Sequence, residues 1–391
     1  MQKILTGNEA IAEAMRQIEP DVVAAYPITP STKIPEKFSE FVANGEVRTE
    51  FVAVESEHSA MSACIGAAAA GARAMTATAS QGLALMHEVL VNAGGMRLPI
   101  VLANANRALS APLSIHGDHS DVMLERDSGW IQIFAGSPQE AYDLILQAFP
   151  IAEKVRLPVM ICFDGFETSH LATNVEILSD ATARKFVGQP PKFPNLFDLE
   201  KPLTLGGYTS PEYFFEAKRG QFEAFESARK VVTEVGAKFE GINPRDFSGG
   251  ASYISPIETF ETKDAEIILI VLGSAAGAAQ VAARNLRKAG KKVGVIRVRT
   301  FRPFPTEEIL AACGKSKKIG ILDRMVPLGS SGGVLFNEIN SAFFAAKAKT
   351  ETANFIYGIG QRQFNPEHAT EIFATLAQAK FPKINFVNLR G

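Results

Sequence analysis

Apolar positions along the chain alternate between two regimes. Some form short continuous runs bounded by glycine, proline or small polar residues; others recur every third or fourth position. The first pattern predicts buried strands and the second predicts helices that bury one face. The run Val22-Val23-Ala24-Ala25 predicts a strand. It leads into Tyr26-Pro27-Ile28-Thr29-Pro30-Ser31-Thr32, where two prolines stop any ladder because they have no N–H to donate. Ile34, Phe38, Phe41 and Val42 then fall at i, i+4, i+7 and i+8, and Gly45 closes the helix they predict. Thr29 and Ser31 therefore sit on a stiff turn between a strand and a helix. In open α/β sheets ligands bind there, outside the carboxyl ends of strands. A simple Ser/Thr helix cap is the competing explanation.

The same reading predicts strands over 47–54, 74–78, 99–103, 131–134 and 158–163. It predicts helices over 58–72, 83–93 and 138–154, the last opened by the capping box Ser137-Pro138-Gln139-Glu140. A long loop is expected over 104–121. Strands separated by helices predict βαβ units and a largely parallel sheet. Residues 173–215 are dense in proline and weakly periodic, which suggests an extended excursion before an amphipathic helix over 216–238. A second alternating unit follows from 264, with strands over 266–272, 292–298, 317–322 and 353–358. Its helices are expected over 274–288, 306–312, 332–345 and 366–378. The fold class is α/β, as two doubly wound domains, 1–245 and 246–391. No constellation of titratable residues stands out after 264, so that part is expected to shape the assembly rather than the chemistry.

Composition narrows the function classes. The 391 residues exceed one ordinary core, and a net charge of −2 gives no electrostatic footprint for nucleic acid or an acidic membrane. The N-terminus has no long apolar segment, and the most apolar run, 267–279, is short for a membrane span and broken by Gly273 and Ser274. Cys64, Cys162 and Cys313 are far apart and form no CxxC. That argues against a zinc site, an iron–sulfur cluster in this chain or a disulfide framework, and fits a reduced, cytoplasmic setting. Only His116 and His119 lie close together, and no metal-binding spacing is present.

Three positions invite chemistry. Glu57 closes a strand and opens a helix made almost entirely of Ala, Ser and Gly, a surface that admits a flat ligand or another backbone. A carboxylate there can share a proton with a ring nitrogen, or simply favour the helix N-terminus. Ser80 and Gln81, in Thr78-Ala79-Ser80-Gln81-Gly82, occupy another strand-to-helix turn, where Ser80 is equally suited to capping. Arg107 opens the long loop, and a guanidinium there suits a carboxylate ligand, with Asp118 or Asp121 as rival structural partners. Gly329-Ser330-Ser331-Gly332-Gly333 precedes a helix but lacks a P-loop lysine, so it reads as a tight helix entry rather than a phosphate cradle.

Together Tyr26-Pro27-Ile28-Thr29-Pro30-Ser31, Ser56-Glu57-His58-Ser59-Ala60, Thr78-Ala79-Ser80-Gln81-Gly82 and Asn106-Arg107-Ala108-Leu109-Ser110-Ala111-Pro112 resemble, in order and spacing, the alpha subunits of the 2-oxoacid:ferredoxin oxidoreductase family, pyruvate enzymes in particular. The later stretch Thr300-Phe301-Arg302-Pro303-Phe304-Pro305 fits the transketolase C-terminal-like domain of such subunits. The resemblance implies that residues 1–245 form the pyrimidine-binding half of a thiamine diphosphate site. Glu57 would bond N1′ of the aminopyrimidine and drive its imino tautomer. Tyr26, Ile28, Ser80 and Gln81 would also contact the cofactor, while Thr29 and Arg107 would hold the 2-oxoacid carboxylate. The reaction implied is oxidative decarboxylation of pyruvate, with electrons to ferredoxin and the acyl group to coenzyme A.

The chain has no Gly-Asp-Gly turn for the diphosphate and Mg²⁺, and no cluster-binding cysteines. The resemblance therefore implies beta, gamma and delta-type partner subunits that carry Mg²⁺ and the [4Fe-4S] clusters. The alternatives are another 2-oxoacid (2-oxoisovalerate, 2-oxoglutarate or oxalate) or a non-catalytic structural subunit. Oxalate is disfavoured because the oxalate enzyme has arginine where this chain has Thr29.

Overall fold

The computed structural model describes residues 1–243, 245–246 and 252–390. Two large sheets organise them. The first has seven strands in the order Thr300–Arg302, Ile131–Ala135, Val159–Asp164, Val101–Asn106, Ala74–Thr78, Val22–Ala25 and Glu50–Ala53. All its pairings are parallel except that of Thr300–Arg302, which runs antiparallel to Ile131–Ala135. The strand Val22–Ala25 lies between Glu50–Ala53 and Ala74–Thr78. The chain thus leaves it toward one side and returns on the other, a topological switch point.

The second sheet has six strands in the order Ile384–Phe386, Glu351–Ile356, Lys318–Asp323, Ile267–Leu272, Val293–Val298 and Ile257–Phe260. Only the edge strand Ile257–Phe260 is antiparallel to its neighbour. The boundary expected at 245/246 adjoins residues 244 and 247–251, which lie outside the described residues.

Most elements form where periodicity places them, with some differences. The N-terminal segment builds a strand, Gln2–Leu5, and a helix, Gly7–Ile18, opened by a reciprocal Thr6–Glu9 capping box. The segment expected as one helix over 83–93 forms two, Ser80–Leu85 and His87–Gly95. The excursion expected over 173–215 is partly regular. Thr173–Glu176 pairs antiparallel with Gln2–Leu5, and Asp180–Val187 is a helix capped by Ser179. The following helix starts at Pro211, with proline in the first turn, and runs to Ile242.

Helices Gly7–Ile18 and Pro138–Val155 pack together on one face of the first sheet, and Pro211–Ile242 lies over the latter. The opposite face shares one continuous apolar core with the second sheet: Trp130 and Phe134 join Phe301, Phe304, Ile268 and Ile270. Helices Ala275–Lys288 and Pro366–Ala377 cover the far side of the second sheet.

Buried charge also crosses this seam. Glu140, at the start of helix Pro138–Val155, receives both Arg297 terminal nitrogens at 2.6 Å and Arg299 at 3.3 Å, and Glu258 lies 2.5 Å from Arg297. Arg302 extends from the edge strand to the Arg126 carbonyl (3.0 Å) and to Glu338 (2.6 Å). The residues after 264 therefore contribute titratable groups to the contact between the halves. Burial alone would push the Glu140 carboxyl up, but Arg297 and Arg299 outweigh it and hold the carboxyl at about 2 instead of 4.5.

Glu140→Gln would leave two buried guanidinium groups short of an anion, and is expected to cost about 3–5 kcal/mol near neutral pH. Because the folded value is depressed, Glu140's contribution is complete above about 4.5 and is lost as pH falls toward about 2. Denaturant unfolding of wild type and variant across that range checks this: the gap should narrow with acidification, and a pH-independent gap would contradict it.

Candidate active site

Every site residue expected from the sequence lies just beyond the carboxyl end of a strand in the first sheet. Tyr26, Ile28 and Thr29 follow Val22–Ala25, and Glu57 follows Glu50–Ala53. Ser80 and Gln81 follow Ala74–Thr78, and Arg107 follows Val101–Asn106. These four strands are neighbours, so the residues share one edge of the sheet across about 15 Å at the usual strand spacing.

Glu57 is not the cap of its helix. Ser56 is, accepting from the Ser59 N–H at 3.2 Å. The Glu57 side chain is 7% exposed, and no hydrogen bond or ion pair from the described residues reaches its carboxylate. It lies against the Ser80–Leu85 turn so closely that a Cβ at Gly82 would stand 2.6 Å from its Oε1 and 2.5 Å from Thr78 Oγ1. The buried Thr78 hydroxyl likewise has no partner among the described residues. Burying an unpaired carboxylate is costly unless a ligand completes it. A flat ring that presents one N–H to Glu57 fits this donor and acceptor set.

The turn after Val22–Ala25 is not a Ser/Thr cap. Thr32 makes no capping bond, and the Ser31 hydroxyl donates to the Ile28 carbonyl at 2.9 Å. The buried Asn8 amide fixes the Pro30 carbonyl at 2.8 Å. Tyr26 and Ile28 are half-buried, while Thr29 is exposed at the rim. Nor does Ser80 cap. It takes a left-handed conformation (φ +51°), unusual for a residue with a Cβ. Its hydroxyl donates to the Ala108 carbonyl at 2.6 Å, with Gln81 Oε1 at the same distance.

Arg107 pairs with neither aspartate through its guanidinium. Nη1 donates to the Thr29 carbonyl (2.8 Å) and Nε to the Ser114 carbonyl (3.0 Å). Asp118 accepts instead from the Ser120 N–H and hydroxyl. Burial lowers the proton affinity of Arg107, partly offset by Asp121. A guanidinium held between carbonyls, with no carboxylate paired to it among the described residues, is suited to an anionic ligand.

Asp121 is the residue that sequence reasoning misjudged. Its Oδ2 accepts the backbone N–H of Ser80 and of Arg107, each at 3.0 Å, and the Asn104 amide at 3.1 Å. One buried carboxylate thus joins the ends of two strands and sustains the Ser80 conformation. Burial pushes the Asp121 carboxyl up to about 6. A signal existed: Asn104 and Asn106 are polar residues inside a fully buried parallel strand, where every polar group needs a partner.

Both glycine-rich helix entries after 264 are filled by side chains. Asp323 receives the Leu335 and Phe336 N–H groups at 2.8 and 3.1 Å, and Asp164 receives that of Ser274 at 2.7 Å. No group of three or more His, Cys, Asp or Glu is arranged to hold a metal among the described residues. No helix among them is long and apolar enough to cross a membrane.

Asp121 Oδ1 accepts the Val122 N–H at 2.7 Å. Asp121→Asn would therefore set its NH₂ group against that N–H if its oxygen stayed with the three donors at Oδ2, and would remove the buried negative charge that all four share. It is expected to cost about 1–3 kcal/mol, read as a lower denaturant midpoint with unchanged far-ultraviolet circular dichroism. An unchanged midpoint would remove Asp121 from its place as the junction.

Comparison with known proteins bears on the family of the chain. Residues 13–237 match the family described as "Pyruvate flavodoxin/ferredoxin oxidoreductase, thiamine diP-bdg", and residues 265–369 match "Pyruvate:ferredoxin oxidoreductase core domain II". The chain is 48% identical over 372 residues to the pyruvate synthase subunit PorA of Thermotoga maritima, covering 94% of this chain and 93% of that protein. It is 42% identical over 366 residues to the ketoisovalerate oxidoreductase subunit VorA of Pyrococcus abyssi, covering 93% and 90%. Among solved structures, a 2-oxoglutarate:ferredoxin oxidoreductase from Magnetococcus marinus superposes with a TM-score of 0.72 at 20% identity, over 96% of this chain and 65% of that one. A split-gene transketolase superposes at 0.56 and 12% identity, over 96% and 98%. Those two likenesses bear on the fold alone. The sequence matches cover the crevice and both sheets, and the chain belongs to the pyruvate:ferredoxin oxidoreductase family.

Proposed function

We propose that this chain is the alpha-type subunit of a pyruvate:ferredoxin oxidoreductase and supplies the pyrimidine half of its thiamine diphosphate site. The observation that carries the reading is the buried Glu57 carboxylate, which has no partner among the described residues and lies at the carboxyl edge of the first sheet, beside the switch point. When bound, thiamine diphosphate supplies a carbon nucleophile and an electron sink for decarboxylation. The Glu57 carboxylate would accept a hydrogen bond from a ring N–H and so favour the tautomer that carries its proton there. Tyr26, Ile28, Ser80 and Gln81, on the neighbouring strand ends, would contact that ring. Arg107, its direction set by the Thr29 carbonyl, binds the carboxylate of the 2-oxoacid.

The diphosphate, Mg²⁺ and [4Fe-4S] clusters belong in this reading to beta, gamma and delta-type partners, with ferredoxin as acceptor and coenzyme A as acyl acceptor. The sequence supports this: it has no Gly-Asp-Gly turn, and its three cysteines are separate and buried. Pyruvate is favoured over 2-oxoisovalerate by the higher identity to the pyruvate synthase subunit.

The test uses the purified complex with 2-oxoacid, coenzyme A and a low-potential acceptor. Glu57→Gln is expected to lower kcat by roughly 10²–10⁴-fold while the subunits stay assembled. Near-wild-type turnover would return Glu57 to a structural role. Across pyruvate, 2-oxobutyrate, 2-oxoisovalerate, 2-oxoglutarate and oxalate, kcat/KM should be highest for pyruvate. One extra methylene should cost only about 1–3 kcal/mol. A wide margin for 2-oxoisovalerate would reassign the substrate and leave the family intact.

A further inference from the structure

We infer that Arg324, which follows the strand Lys318–Asp323 of the second sheet, is a positioning residue for Arg107 and so sets the affinity for the 2-oxoacid. The inference rests on the role proposed for Arg107. That guanidinium takes its aim from two carbonyls, Thr29 on a stiff turn and Ser114 in the middle of the loop 107–119. The loop has little core beneath its tip, where Leu113 and Ile115 are exposed. Besides its bonds to the first half, two backbone tethers reach it from the turns that follow strands of the second sheet. The Gln361 N–H donates to the Gly117 carbonyl at 2.8 Å, and the His119 N–H donates to the Arg324 carbonyl at 2.8 Å.

The Arg324 side chain, in a residue only 2% exposed, fixes both tethers. Its Nε holds the Gly358 carbonyl at 3.1 Å and so sets the turn that presents Gln361. Its Nη1 lies 3.0 Å from Asp164 Oδ1, the same oxygen that seats the His119 ring at 2.7 Å. Glu167 completes the fork at 2.9 and 3.0 Å. Without Arg324 the Gly358 carbonyl would keep only the Gln361 N–H at 3.1 Å, and Asp164 would be left buried with His119 as its only ring or guanidinium partner. The loop, and with it the Ser114 carbonyl, would then be free to shift, and Arg107 would shift with it.

Three variants of the complex test this: Arg324→Met, Gly117→Ala and Arg107→Ala. Gly117→Ala acts on the loop directly, because its Cβ would stand 2.8 Å from the Gly165 carbonyl oxygen and 3.3 Å from that of Asn106. It keeps the proposal testable if Arg324→Met fails to assemble. All three should raise KM for pyruvate by about tenfold or more, with kcat falling much less and half-saturation by thiamine diphosphate unchanged. If Arg107→Ala raises KM and the other two do not, Arg324 has no positioning role. Equal losses in kcat and cofactor half-saturation for Arg324→Met and Gly117→Ala would mark a general structural effect and overturn the inference. If Arg107→Ala leaves KM unchanged, the role proposed for Arg107 fails, and this inference fails with it.

Discussion

The structure depends on how the Asp164 carboxylate is compensated. It sits at the carboxyl end of a central strand of the first sheet, almost without solvent. Burial pushes its proton affinity up, but Arg324 and His119 more than reverse this and hold it well below the usual carboxylate range. Its three partners come from different places: His119 from the long loop, Arg324 from one strand end of the second sheet, and the Ser274 N–H from another. A buried charge of this kind tolerates little displacement, since removing one partner leaves the others uncompensated. The two sheets and the loop between Arg107 and His119 must therefore come together in one arrangement.

From that junction the crevice follows. Asp121 performs on a smaller scale what Asp164 does for the whole, gathering backbone N–H groups from the ends of adjacent strands. Structural carboxylates in this region are thus consumed by internal donors. Glu57 differs from them: it too is buried, yet no donor among the described residues reaches it. Arg107 contrasts with the arginines of the seam in the same way, since Arg297, Arg299 and Arg324 each meet carboxylates whereas Arg107 meets carbonyls. The groups left with unsatisfied charge are those suited to bind something else.

Much of this was legible from periodicity. The strands around 74–78 and 131–135 and the helix over 138–155 follow local apolar spacing, and Thr29, Glu57, Ser80 and Arg107 all follow strands, where ligands gather. What local spacing cannot encode is partnership at long range. Arg297 meets Glu140 and Arg324 meets Asp164 across more than 150 residues, and no window of sequence contains both members of either pair. The same reason hides the strand Thr300–Arg302, which leaves its own sheet to cover an edge of the other. The N-terminal helix is a different case. Its Thr6–Glu9 capping box is a local signal contained within four residues.

The filled helix entries of the C-terminal half have a consequence for how the assembly behaves. In doubly wound folds the positive end of such a helix is commonly completed by the phosphate of a diffusible ligand, so its order depends on metabolite supply. Here Asp323 and Asp164 are tethered counter-ions, present at unit stoichiometry in every molecule. The C-terminal half is constitutively liganded by its own chain. It can serve as a fixed frame for the crevice whether the cell is rich or poor in nucleotides.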